Sequence, residues 1–212
     1  MLDAIEPPTL WAGHRLEKLA SRARDVAAHR TASLEIPDAH AMRVATLSAD
    51  IARRIGFCRR EIDTVVEGAM LHDVGKSRVP KEILDQRRPL TADEYATVKK
   101  HPDWGAALVD GHVPEMALRA IRHHHEWWDG GGYPSQLSGY DIPVEARIVG
   151  IADAFVAMRE DRPYRPAKSR QAAVGELQRN AGTQFDPALV DPLIASIVAE
   201  ESPRLRLVAK DS

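Results

Sequence analysis

Apolar residues recur with helical spacing along almost the whole chain. Val44, Leu47, Ile51 and Ile55 form one stripe, with Asp38 as a candidate N-cap and Gly56 as a stop. Ile62, Val65, Val66, Ala69 and Met70 form the next, ending near Gly75. Thr91-Ala92-Asp93-Glu94 is a capping box, in which the threonine hydroxyl and the glutamate carboxylate each take an orphan backbone N–H; it opens a helix toward His101. Pro114 suits the first turn of a helix running to about His125, because its missing N–H has no partner there anyway. A helix from near Pro143 carries Ile148, Ile151, Ala152 and Phe155, and Asp186-Pro187 opens a C-terminal one. Strand signals are scarce. Leu205, Leu207 and Val208 alternate weakly, leaving that tail a short strand, a helix end or disordered. The pattern predicts an all-α fold.

The 212 residues suffice for one sizeable core, and no repeat or composition shift marks a second domain. Residues 1–36 read as a helical lead-in whose Leu10, Trp11, Leu16 and Leu19 can pack on the core; 37–200 read as the functional domain and 201–212 as a tail. A net charge of -2 gives no global basic field, so a nucleic-acid polymer is not the expected partner and an anionic ligand must be attracted locally. Cys58 stands alone, which excludes an internal disulfide and points to a reducing compartment. Beside Phe57, after a predicted helix end, it reads as a structural thiol. No apolar run approaches the ~20 residues that span a bilayer, and Met1–Pro8 lacks the features of a signal peptide. A cytoplasmic protein with no membrane partner is the simplest reading.

The chemistry lies in histidines and aspartates. His40, His72, Asp73, His101, His124, His125 and Asp153 each fall in or at the end of a predicted helix, so a metal site would sit where helix ends converge. Neighbours on a helix point about 100° apart. On that geometry His72 and Asp73 can hardly be two ordinary ligands of one ion, whereas Asp73 could bridge two; His124 and His125 likewise suggest two ions. Mixed nitrogen and oxygen ligation favours iron, manganese, nickel, cobalt or zinc over magnesium or calcium. Lone histidines such as His14, His29 and His112 read as surface or packing residues, and His123 as a neighbour of the site.

His72-Asp73-Val74-Gly75-Lys76, His101-Pro102, His124-His125-Glu126, Asp129-Gly130-Gly131-Gly132-Tyr133-Pro134 and Asp153 together resemble the HD-GYP domain, a branch of the HD phosphohydrolase superfamily. The resemblance runs from about His40 to about Pro187. It implies an HD-domain helical bundle of five or more core helices, here with extra N- and C-terminal helices. It also implies a centre of two divalent transition-metal ions, iron or manganese first, with nickel, cobalt and zinc open. The activity implied is hydrolysis of the bacterial messenger cyclic di-GMP to linear pGpG, and onward to GMP, by attack of a metal-bridging hydroxide. His40, His72, Asp73, His101, His124, His125 and Asp153 match the metal ligands, with Asp73 bridging. Lys76 matches the lysine at the scissile phosphate. Arg162 and Arg165 match basic positions that hold the substrate's phosphates. Tyr133, set by Gly132 and Pro134, offers a ring for a base or for packing the loop. An exposed Gly-Tyr-Pro loop also suits docking of a diguanylate cyclase.

Two positions depart from the family pattern. Where members with a third metal carry a glutamate four residues before the first histidine, this chain has Ile36; Glu35 would be rotated away by about 100° on a helix, which favours two ions. Val156 stands where a second aspartate often follows Asp153. Trp127 and Trp128 read as core and site wall. Two such ions, about 3.5–4 Å apart, lower the pKa of a shared water and clamp a phosphate. Two other functions stay open: a weakly catalytic nucleotide-binding or partner-docking module, and a hydrolase of another cyclic dinucleotide or phosphoester.

Overall fold

A computed structural model describes residues 8–28, 37–161 and 166–200, with side chains from residue 14 to 199 within those ranges. Ten α-helices are described: α1 (Pro8–Ala28), α2 (Ala39–Arg54), α3 (Arg59–Leu71), α4 (Lys81–Leu84), α5 (Ala92–Val98), α6 (His101–Val109), α7 (Glu115–His123), α8 (Val144–Met158), α9 (Arg170–Arg179) and α10 (Pro187–Glu200). Among the described residues there is no strand; one isolated bridge pairs Ala181 with Phe185. The all-helical expectation holds. The alternating segment at Leu205–Val208, together with Leu10, Trp11, Glu35 and Ile36, lies outside the described side chains.

The core is a bundle of α2, α3, α7 and α8, with α6 set against a 3-10 turn at Val74–Arg78 and α10 closing over α2 and α8. Val44, Leu47 and Ile51 of α2 face Val65, Val66 and Leu71 of α3 and Ile148, Ile151 and Phe155 of α8, all buried. Each fully buried side chain of this size contributes about 1.5–3 kcal/mol. Asp38 caps α2 as the sequence indicates, its carboxylate accepting from the Ala41 N–H at 2.8 Å. Asp186 likewise accepts from the Ala188 N–H at 2.9 Å at the start of α10. The N-terminal helix docks on α3 through Leu16 and Ala20 and through two ion pairs, Arg15 with Asp63 and Arg22 with Glu67 at 2.9 Å.

Three helices end where the sequence does not foretell. The stripe expected to reach Gly75 stops at Leu71, and the 3-10 turn follows. The helix expected to reach His125 stops at His123. The helix opened by Thr91 breaks before His101, because Pro102 has no N–H for the Val98 carbonyl; a new helix, α6, starts there instead. Cys58 is not a core thiol: it is exposed at the N-cap of α3, where its N–H donates to Glu61 at 2.7 Å. Among the described residues no helix is long and apolar enough to cross a membrane.

Candidate metal centre

The broken helix ends build the site. His40 lies in the first turn of α2, His72 follows α3, Asp73 precedes the 3-10 turn, His101 opens α6, His124 and His125 follow α7, and Asp153 sits within α8. All seven converge. Three of the histidines obey one local rule. Nδ1 of His72, His101 and His124 bonds the carbonyl three residues back, that of Ala69, Val98 and Ile121, at 2.7, 2.8 and 2.8 Å. A carbonyl only accepts, so Nδ1 carries a proton and Nε2 is the nitrogen left facing the cluster. His101 donates this bond to the Val98 carbonyl, which Pro102, lacking an N–H, leaves unpaired. His40 is held the same way by Glu160, 3.0 Å from its Nδ1.

The donors fall into two groups that share one residue. Donor atoms of Asp73, His101, His124 and His125 lie within 4.8 Å of one another, as do those of His40, His72 and Asp73. Asp153 joins the second group, its Oδ1 3.0 Å from His40 Nε2 and 3.9 Å from His72 Nε2. This corrects the argument from helical rotation. His72 and Asp73 reach the same group, and so do His124 and His125, because the helix ends at Leu71 and at His123 and its 100° step no longer applies. Asp73 is the one residue that belongs to both groups.

Metal fits these donors. Nε2 of His101 and His124 face each other at 3.4 Å while both Nδ1 protons are spent on backbone carbonyls, an approach of two lone pairs that a shared cation would relieve. Asp73 Oδ1 is buried, makes no hydrogen bond, and stands 3.2 Å from His101 Nε2. Charge agrees. Burial raises both aspartates, yet the Lys76 and His72 charges hold Asp73 well below the usual carboxylate range, and His40 and His72 bring Asp153 to about 2. Burial, with His125, His72 and His101 around it, keeps His124 well below the usual imidazole range; burial and His101 push His125 down to about 3. Burial also lowers His72, but Asp73 and Asp153 outweigh it and raise His72 to about 9. The site therefore holds ionised carboxylates with neutral and protonated imidazoles that cations can displace protons from.

A cavity of about 330 Å³ opens beside the cluster, with Lys76 and Tyr133 on its wall. Lys76 Nζ ion-pairs with Asp73 Oδ2. The Tyr133 ring lies 4.8 Å from that of His125, tilted by 31°, and burial raises its phenol, which stays protonated. Gly132 and Pro134 do not line the cavity. Gly132 is instead pressed against backbone: a Cβ there would fall 2.3 Å from Trp127 N and 2.5 Å from the His125 carbonyl. Trp127 is exposed at 40% and belongs to the cavity wall rather than the core; Trp128, half-buried, also lines it. Arg162 and Arg165 lie outside the described residues. Val156 is buried in the core.

Two residues escape sequence reasoning. Glu160 orients His40 and pairs with Arg43. Glu126, buried, accepts from the backbone N–H of Ser135 at 2.7 Å and of Leu137 at 3.1 Å, tying down the Gly-Tyr-Pro loop, and His123 stands 3.5 Å from it. A glutamate after two histidines invites notice, but its partners nine and eleven residues on become visible only once the loop folds back.

Comparison with known proteins agrees with this geometry. The chain is 35% identical over 187 residues to the "Cyclic di-GMP phosphodiesterase response regulator RpfG" of Xanthomonas campestris, covering 84% of this chain and 49% of that protein. It is 36% identical over 159 residues to the "3'3'-cGAMP-specific phosphodiesterase 2" of Vibrio cholerae, covering 74% and 30%. The chain thus spans about half or less of these relatives. In structure it resembles Bd1817, an HDG"Y"P protein of Bdellovibrio bacteriovorus, with a TM-score of 0.65 and 22% identity over 89% of this chain and 61% of that one, a likeness of fold. A family model described as an HD domain matches residues 16–189, so the chain, with its paired His72-Asp73 at the centre of the cluster, belongs to the HD-domain family.

Proposed function

We propose that this chain is a metal-dependent phosphodiesterase that opens a cyclic dinucleotide, with cyclic di-GMP the favoured substrate and linear pGpG, then GMP, the products. The observation that carries this reading is the sharing of Asp73 between two donor groups. One ion would be held by His40, His72, Asp73 and Asp153, the other by Asp73, His101, His124 and His125; iron or manganese suit these donors, with nickel, cobalt and zinc as alternatives. When bound, the ions supply Lewis acidity and a water of lowered pKa for attack at phosphorus. The remaining work falls to the chain. Asp73 and Asp153 are ionised and accept only, so they hold cations and repel a phosphate until cations are present. Lys76 lies beside Asp73 at the cavity wall, where its ammonium can meet a phosphate oxygen without occupying a metal. Tyr133 packs on His125 and keeps its proton, offering a donor at the cavity wall. Arg162 and Arg165 are further candidates for the phosphates. The Gly-Tyr-Pro loop, fixed by Glu126, is the candidate docking surface for a diguanylate cyclase, in a bacterial cytoplasm.

Supporting this substrate is the 35% identity to the RpfG phosphodiesterase. A second reading, hydrolysis of 3'3'-cGAMP, is favoured by the 36% identity to the cGAMP-specific enzyme. Incubation of metal-loaded protein with each dinucleotide, followed by chromatography, separates them. Linear pGpG from cyclic di-GMP is expected. No linear product from cyclic di-GMP with any of the five metals would sink the favoured reading, and binding without turnover would point to a signalling module.

A further inference from the structure

The cavity beside the cluster is also walled by Trp128, Arg147, Gln184 and Asp186, which the hydrolytic reading leaves without a role. Three segments build that wall, and backbone bonds fasten two of them together: Trp128 N–H donates to the Gln184 carbonyl at 3.2 Å, and Asp129 N–H to the Thr183 carbonyl at 2.9 Å. Arg147 lies over both the Trp128 ring, at 5.7 Å, and the Tyr140 ring, at 5.4 Å. It is pinned from below, its Nη1 donating to Asp186 at 2.6 Å and its Nε to the Ile142 carbonyl at 2.9 Å. The wall is therefore held before any ligand arrives.

Its chemistry does not suit a second phosphate. Asp186 faces the Arg147 charge, and that carboxylate is itself buried. What the wall offers is an indole ring, a guanidinium plane and one amide. Gln184 is half-buried and lines the cavity, and its side-chain amide makes no hydrogen bond among the described residues. An amide presents a donor and an acceptor side by side, which matches a purine edge, and aromatic rings stack on bases of any kind.

We infer that this wall of the cavity is a nucleobase subsite in which Gln184 reads the purine edge and Trp128 supplies the stacking surface. The inference rests on the phosphodiesterase reading for its substrate class. By turning over, the amide can serve guanine, accepting from N1–H and donating to O6, or adenine, accepting from N6–H and donating to a ring nitrogen. Gln184 would then admit both purines.

Titration calorimetry of GMP and AMP on the metal-loaded full chain reads the subsite without turnover. Gln184→Ala is expected to weaken both nucleotides about tenfold, the loss of one two-point base contact. Gln184→Glu leaves two acceptors, which meet N1–H and the N2 amino group of guanine but only the N6 amino group of adenine. Its GMP-to-AMP affinity ratio is expected to rise about tenfold; repulsion of phosphate by the new charge cancels in that ratio. Wild-type affinities kept within about twofold by Gln184→Ala, together with an unchanged ratio in Gln184→Glu, would overturn the assignment. Cleavage of cyclic di-GMP by the wild type, assayed beside hydrolysis of base-free bis(p-nitrophenyl) phosphate, tests the phosphodiesterase reading separately: hydrolysis of the base-free ester alone would refute that substrate and leave the calorimetry to decide the subsite.

Discussion

At the scale of single residues, the cluster divides its work unevenly. Asp73 belongs to both donor groups, while Asp153 pairs with His40 and His72 of the second group. Replacing Asp73 with alanine should therefore strip both ions, and Asp153→Ala should strip one; elemental analysis of each purified variant decides it, and retention of one ion by the Asp73 variant would refute the bridge. Glu160 acts at one remove. It holds His40 Nδ1 at 3.0 Å and so aims Nε2 at Asp153. Partners that orient a ligating histidine typically govern roughly 10–100-fold in metal affinity. Competition with a chelator should show a loss of that size at one ion only in Glu160→Gln, with the second ion unaffected. The seven candidate donors could be picked out in the sequence because most sit in short motifs. Glu160 could not, because it meets His40 across 120 positions that only the packing of α8 on α2 closes.

At the scale of elements, legibility followed the local chemistry of helix ends. Asp38, Thr91 and the Asp186-Pro187 pair announce helix starts through their own side chains, and α2, α5 and α10 begin where they say. The stops at Leu71 and His123 carry no such mark. Apolar periodicity runs on to Val74, which is buried although it belongs to the 3-10 turn, so pattern alone extends the helix too far. What forces the turn is tertiary: Gly75 lies against α6, where a Cβ would fall 2.0 Å from the His101 carbonyl and 2.5 Å from Gly105 N. Backbone cannot yield as a flexible side chain would. Gly75→Ala should cost at least the about 1–3 kcal/mol typical of overpacking. It should also push His101 away from Asp73, so that denaturant unfolding and metal content fall together. A variant with lowered stability but full metal content would show that the turn does not position His101.

At the scale of the whole molecule, gathering four helix ends and the interior of α8 around one cluster loads the fold with opposed proton equilibria. Take the chelated protein, and an unfolded histidine near 6.5. His72 is raised to about 9 because its anionic neighbours outweigh burial, so the folded state holds its proton more tightly. That stabilisation is full below about 6.5 and is lost as pH rises toward 9. His125 is pushed down to about 3 by burial and by His101, so below about 6.5 the unfolded chain takes up a proton that the folded chain refuses. Its contribution is lost as pH falls toward 3. Asp153, lowered to about 2, adds a loss only below the ordinary carboxylate value near 3.9, outside the window the histidines control. The two histidine limbs meet near 6.5, and thermal unfolding of chelated protein should show its highest midpoint there. Restoring metal should raise the midpoint and flatten the limb between pH about 6.5 and about 9, since an ion that has displaced the His72 proton removes that titration and stabilises the folded state by about 2.7 kcal/mol at a hundred times its dissociation constant. A midpoint that climbed steadily from pH about 6.5 to about 9 would contradict a protonated His72 between Asp73 and Asp153, and with it the anionic heart of the cluster.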